Sequence, residues 1–442
     1  MTHTAPTYAT LDEWIEREAL QFSLSSPTAF NAAVDKMLAS LGNSVELLGL
    51  GEALHGGEDI LTLRNRLFER LVTAHGYSAI AVESSFPKGW LTNEYVAGRG
   101  PQSYAEVEES GFSHGFGRLE ANRELIEWMR SYNAKPSHQV KLKFYGFDSP
   151  TEMYGSDSPR QVLHFVLDYL TPLDSDSGLE HRSRIEPLLG QDAAWENPAT
   201  LIDPTKSIGL SEVATALRME TEELISTLQI QRPELVARSD EERYLEAVHY
   251  AMMARQLLNY HANLAQTSDK RFIRLLGMRD ALMADNLVYI VSRERRRGKV
   301  LAFAHNSHLQ RGKAQLSLPT QLGPDVHIWW PAGAHLEQML GPRYVIIGTG
   351  LGSSEPNGIA RPEANTLEAR LTAVPGPGRF IPTHKGQGLP ASDIAALPAR
   401  TASKKNPSYF PLSPESLVNF DWLAVLDSTA YTRGAPVLPD QK

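Results

Sequence analysis

The chain has 442 residues, 42% of them hydrophobic and 21% charged, which is ordinary globular composition with enough apolar side chains for a substantial core. Its 52 acidic and 43 basic residues give a net charge of -9, a balance that repels a phosphate backbone, so nucleic acid is not an expected partner. Cysteine is absent, which removes disulfides, thiolate-bound zinc, iron–sulfur clusters and cysteine nucleophiles at once. The first residues, MTHTAPTYATLDEWIEREAL, lack a basic start followed by an apolar stretch, and no apolar run approaches the ~18 residues of a membrane helix. A cytoplasmic protein with no membrane partner is expected.

In chain order, Ser25 or Ser26 before Pro27 caps a first helix with Phe30, Val34, Leu38 and Leu41 on one face. Ser44 to Leu50 reads as a strand, and after the Gly51 turn Ile60, Leu63, Leu67 and Leu71 mark a long helix that Gly76 ends. Further strands are expected at Ser78 to Val82, Lys141 to Phe147, Lys299 to Ala304, Arg343 to Gly348 and Trp422 to Leu426. Helical stretches between the earlier strands imply crossovers, hence an α/β fold with a largely parallel central sheet flanked by helices. Between 159 and 266 strand signals nearly vanish and helical periodicity takes over. This predicts a core in two parts, 1–158 and 267–442, with a helical subdomain (159–266) inserted over the strand C-terminal ends. The glycine-rich stretches Gly98 to Gly117 and Gly348 to Gly358 read as functional loops, and Pro375 to Pro414 as a surface wrap.

Glu52, Glu83, Asp148 and His305 each fall at or just past the end of an expected strand. In a parallel sheet those ends line the ligand crevice. Any one of them alone would be read as a helix cap or turn residue, but three acids and a histidine converging on one edge are the material of acid–base catalysis. In Gly51-Glu52-Ala53-Leu54-His55-Gly56-Gly57 the glycines allow a tight turn that places His55 above the sheet, where neighbouring carboxylates would tune it as a general base. Arg64 has two readings: a guanidinium in the crevice that binds a carboxylate or oxyanion, or a solvated partner of Glu58 or Asp59. In His305-Asn306-Ser307-His308, His305 would act on the reacting carbonyl or leaving alcohol, while His308 and Asn306, with Asp148, would bind substrate. The rival is a metal site built from His305, His308 and Glu52 or Glu83; a fixed cation at Arg64 opposes it, and catalysis without metal or cofactor is expected. There is no Gly-x-Ser-x-Gly elbow and no phosphate-binding loop.

GEALHG at Gly51 to Gly56, Arg64, IAVES at Ile80 to Ser84, GFD at Gly146 to Asp148, RDALMADN at Arg279 to Asn286 and FAHNSH at Phe303 to His308 together resemble the erythromycin esterase family. The similarity is ordered along most of the first 310 residues. The resemblance implies an α/β core with a helical subdomain over the cleft, and hydrolysis of an ester or lactone by activated water without a covalent intermediate. It puts His55 in the role of general base, with Glu52, Glu83, Arg64, His305 and His308 completing the polar cluster. Where the family commonly has a threonine after the His-Gly pair, this chain has Gly57, Glu58 and Asp59, which shapes that loop for another ligand. The leading expectation is a macrolide-opening esterase acting on a small molecule. The alternative is a biosynthetic enzyme using the same cleft for hydrolysis, condensation or acyl transfer.

Overall fold

The computed structural model describes residues 6–152, 155–317 and 326–438. Its centre is an eight-stranded sheet of β1 (Leu20–Phe22), β2 (Leu47–Glu52), β3 (Tyr77–Ser85), β4 (Lys143–Asp148), β5 (Lys299–His305), β6 (Tyr344–Ser353), β7 (Gly378–Pro382) and β8 (Trp422–Ser428), in the order β1-β7-β8-β6-β2-β5-β3-β4. From β8 to β4 every neighbouring pair is parallel; β7 alone runs against the others, antiparallel to both β8 and β1. The sheet is therefore largely parallel, as the alternation of strand and helix patterns predicts.

Alternation along the strands sends side chains to two cores. Leu48, Leu50, Ile80, Val82, Leu301 and Phe303 meet helices α1 (Pro27–Ala39), α2 (Glu58–His75) and α3 (Glu120–Ala134). Leu47, Ala79, Ala81, Val300 and Ala302 belong to the other, which includes Leu282, Met283, Leu287 and Ile290 of α5 (Arg271–Glu294). Burial on both faces is why these strands read as continuous apolar runs rather than alternating ones.

Residues 160–264 are helical apart from short connections, and α4 (Glu241–Leu264) packs against Arg160–Leu170, Glu212–Ile230 and α5. This unit forms an outer layer on the α5 side. Among the described residues, no helix is long and apolar enough to cross a membrane.

Two expectations need correction. The stretch from Gly348 is not a loop at its start, because β6 continues to Ser353. Its glycines make room instead: a Cβ at Gly348 would lie 2.7 Å from the Phe420 ring. The Pro375 to Pro414 segment supplies β7, and its last part is hydrogen-bonded to the site described next. The strands also extend further than expected, so Glu52, Asp148 and His305 are their final residues rather than loop residues.

Candidate functional site

β2, β5, β3 and β4 are adjacent and parallel, so their last residues share one edge, with Glu52 paired in register with His305 and Ser85 with Asp148. Beyond Glu52 the chain turns through Gly56, whose φ of 102° suits only glycine. The turn returns His55 over its own strand, where Nδ1 lies 2.9 Å from Glu52 Oε2. A carboxylate accepts, which assigns the hydrogen to Nδ1 and leaves Nε2 a lone pair. Nε2 has no hydrogen-bond partner among the described residues, and the side chain is 31% exposed. Burial pulls the His55 pKa down, but the charge and hydrogen bond of Glu52, with Glu83 beyond, outweigh it and raise the pKa above 6.5.

Glu83, at the next strand end but one, is buried and shared. Its Oε2 accepts the His305 backbone N–H (2.8 Å), while Oε1 contacts Arg279 Nη2 (3.2 Å) and His308 Nε2 (3.4 Å). Burial alone would raise its pKa; His308, His55 and Arg279 hold it well below the usual carboxylate range. His308 Nδ1 is 2.8 Å from Asp280 Oδ1, and Asp280 also accepts from Trp329 Nε1 (2.6 Å) and the Ala332 backbone N–H (2.9 Å). Against the downward pull of burial, Asp280 and Glu83 raise the His308 pKa to about 10. It is an imidazolium at neutral pH.

Arg279 is clamped by Asp148, Nε to Oδ1 at 2.9 Å and Nη2 to Oδ2 at 2.6 Å, leaving Nη1 with no partner among the described residues. Burial opposes its charge, but Asp148 and Glu83 raise its pKa further.

Of the sequence-selected residues, Glu52, His55, Glu83 and His308 come together around this cleft, and four do not play the parts expected of them. Arg64 is 1% exposed and forms no ion pair with Glu58 or Asp59; the charge of Glu52 reaches its guanidinium, but its hydrogen bonds go to amides. Its Nε and Nη2 donate to Asn65 Oδ1 and its Nη1 to Asn122 Oδ1 (2.7 Å), and its guanidinium lies over the Phe303 ring. Burial among amides, with no carboxylate partner, lowers its pKa to about 10. His305 spends both ring nitrogens on the protein, Nδ1 with Ser307 and Nε2 with the Ser408 carbonyl (2.7 Å), and burial lowers its pKa to about 3; it has no free proton site. Asn306 is fully buried and hydrogen-bonds both Thr349 backbone groups, latching β5 to β6. Gly51 leaves the room, since a Cβ there would meet Asn306 Oδ1 at 2.1 Å. Asp148 is fully buried behind Arg279, so it holds the arginine rather than a substrate.

The ligand set of the metal reading is thus not assembled. His305 is turned to Ser307 and Ser408, and both His308 nitrogens face carboxylates.

Sequence reasoning missed the partners. Arg279 and Asp280 stood inside a recognised motif without a role. Ser408 and Asn406, in the segment read as a surface wrap, hold the His55 backbone: Ser408 Oγ accepts its N–H (3.0 Å) and Asn406 Nδ2 donates to its carbonyl (2.8 Å). His114, in the first glycine-rich loop, hydrogen-bonds Asp148 Oδ2 through Nε2 (3.0 Å).

Chemically, the cleft offers a carboxylate-paired imidazole with a free lone pair, opposite a fixed imidazolium and a guanidinium. That is a base placed beside a positive wall, groups suited to moving a proton and to holding a developing negative charge.

Fold and site together define an α/β protein with an acid–base cleft at the carboxyl edge of its sheet. The chain belongs to the erythromycin esterase family: the family model, described as Erythromycin esterase, matches residues 72–429. The match runs far beyond His308, where the sequence motifs end, and begins after Glu52 and His55. The chain is 24% identical over 346 residues to erythromycin esterase type II from Escherichia coli, with 76% of each chain covered. Among solved structures it is similar to a Bacillus cereus protein, with a TM-score of 0.74 and 20% identity over 96% of this chain and 98% of that one. It is also similar to a succinoglycan biosynthesis protein, with a TM-score of 0.68 and 20% identity over 96% of this chain and 98% of the other. A mutant of the erythromycin esterase EreC in its open conformation gives a TM-score of 0.66 and 18% identity over 95% of this chain and 98% of its own.

Proposed function

We propose that the protein hydrolyses a carboxylic ester or lactone, with macrolide lactones the first candidates, by water that His55 activates and without a covalent intermediate. The observation that carries this reading is the Glu52–His55 pair, whose Nε2 is free at the cleft. Nε2 takes a proton from water, and Glu52 steadies the imidazolium that forms. The carbonyl oxygen, as it gains charge, is stabilised by Arg279 and His308, which enter the reaction already charged and already oriented by Asp148 and Asp280. Glu83 ties these cations to the strand edge and offsets their mutual repulsion.

The helical unit of residues 159–266 acts as the lid that admits the ester and limits water. The end of α4 supports this: the Tyr260 phenol, pushed up to about 12 by burial, feels the charges of both Arg279 and Asp148.

The test is incubation of purified protein with a panel of macrolides and other natural-product esters, read by mass spectrometry for the gain of one water. Conversion of a macrolide supports the full reading. Conversion confined to other esters moves the substrate to another natural product, and condensed or acyl-transferred products in place of hydrolysed ones favour the biosynthetic alternative.

A further inference from the structure

Four histidines stand around the strand ends, His55, His114, His305 and His308, and they differ in what their ring nitrogens do. His305 and His308 have both nitrogens committed to protein groups. His55 has one nitrogen on Glu52, and His114 has Nε2 on Asp148 (3.0 Å). Asp148 is fully buried and its pKa is lowered, burial being overcome by Arg279 and by His114 itself. It is an acceptor, so the hydrogen of that bond sits on His114 Nε2. Nδ1 is left with no partner among the described residues.

The backbone is bent to achieve this. His114 has φ 57°, the left-handed region that non-glycine residues rarely occupy, and Gly115 follows at φ 69°. Strain of this kind persists where the surroundings over-determine it and clusters at functional sites. Here Ser113 bonds Ser84 Oγ and the Ser85 N–H at the end of β3, Tyr104 Oη donates to the Gly117 carbonyl, and Asn122 Nδ2 donates to the Phe116 carbonyl. Asn122 is itself held by Arg64, which gives that buried arginine a part in placing the loop. The Phe116 ring lies between the two imidazoles, 5.5 Å from His55 and 5.4 Å from His114 between ring centres. The cleft therefore carries a second carboxylate–imidazole pair across a phenyl ring from the first.

We propose that His114 is a second proton-handling residue of this cleft, delivering a proton from Nδ1 to the leaving alkoxide oxygen, and that the substrates are esters or lactones of alcohols. The assignment rests on the hydrolase reading. As the water O–H bond breaks, its proton passes to His55 Nε2 and the oxygen bonds to the carbonyl carbon. As the carbon–alkoxy bond breaks, the Nδ1 proton of the His114 imidazolium passes to the departing oxygen. Acid and alcohol leave; solvent then removes the extra proton from His55 and restores the one lost by His114. An alkoxide is a poor leaving group and needs this proton, whereas a nitrophenolate does not.

The experiment compares erythromycin with 4-nitrophenyl butyrate. His114→Asn keeps a residue that tolerates left-handed backbone, and a thermal melt confirms its fold. The expected result is a loss of ~10²-fold or more in kcat on the lactone, with a loss on the aryl ester at least tenfold smaller. His55→Gln loses activity on both. His114→Gly, which relaxes the strain, should regain lactone turnover with added imidazole; this arm decides if the aryl ester is not accepted. Equal losses of the His114 variants on the two esters, or no imidazole rescue, would overturn the acid role while leaving the hydrolase reading intact. If the wild type accepts neither ester, the same comparison is made with the ester it converts from the natural-product panel, and a wild-type protein that converts no ester of that panel would overturn the hydrolase reading and this assignment with it.

Discussion

The Glu52–His55 and Asp280–His308 pairs use the same two functional groups at the same distance class, 2.9 Å and 2.8 Å, and they end in opposite states. His55 has one carboxylate on one nitrogen and an open face. His308 has a carboxylate on each nitrogen and is nearly buried. One carboxylate tunes an imidazole that still exchanges its proton; two around a desolvated ring make a permanent cation. What a histidine does in this cleft is set by how many of its nitrogens the protein occupies, and the predictions below separate the two cases.

The largest effect is expected from removing the open member. Folded His55→Gln should lose at least ~10²-fold in kcat on whatever ester the wild type accepts, the scale of a missing general base, measured by product formation under saturating substrate. Breaking the closed pair should cost stability as well as the charge that His308 offers the carbonyl oxygen. In Asp280→Asn the remaining oxygen can still accept from His308 and Ala332, but the amide nitrogen that replaces Oδ2 faces the Trp329 Nε1–H and His308 is left with Glu83 alone as counter-charge. Urea unfolding should report a loss of about 3–5 kcal/mol.

The pH dependence follows from the same contrast. His308 has a folded pKa of about 10 against an unfolded value of 6.5, so its contribution is complete below pH 6.5 and disappears as pH rises through about 10. His305, at about 3, and His249 and His261, at about 4 each through burial, are shifted the other way. There the unfolded chain takes up protons first, so stability falls as pH drops below 6.5, each group adding a slope of about 1.4 kcal/mol per pH unit until its folded pKa is reached. Thermal melts from pH 3 to 10 should show stability falling on both sides, and Asp280→Asn should move only the alkaline fall.

A smaller effect is expected at Arg64. Arg64→Met leaves the Asn65 and Asn122 side-chain oxygens short of donors and should cost about 1–3 kcal/mol by denaturant unfolding. The smallest concerns the lid: a bound product or inhibitor should slow proteolytic cleavage within 159–266 relative to the rest of the chain, and equal cleavage with and without it would remove the lid from the account.

The contrast also explains what was legible in the sequence. Strand ends were readable because apolar runs stop at polar residues, which brought Glu52, Glu83, Asp148 and His305 into view together. Orientation was not readable. Arg64 and Arg279 each lie on a helix beside apolar residues, yet one is sealed among Asn65, Asn122 and Phe303, and the other is swung toward Asp148 and Glu83. Local sequence carries no trace of the residues 131 positions away that decide this. Ser408 and Asn406 were hidden for a related reason: Pro- and Gly-rich composition marks irregular backbone but says nothing of where it goes, and here it is bonded to His55. His114 had one available signal, its place before Gly115 in a glycine-rich loop, where two successive left-handed residues make a tight turn.

The most direct test of the central claim is a nitrogen-15 NMR titration of the histidine side chains. The account predicts that His308 keeps both ring protons from pH 6 to 9, while His55, once neutral, carries its hydrogen on Nδ1 with Nε2 bare. A neutral His308 at pH 7, or a neutral His55 protonated on Nε2, would contradict it.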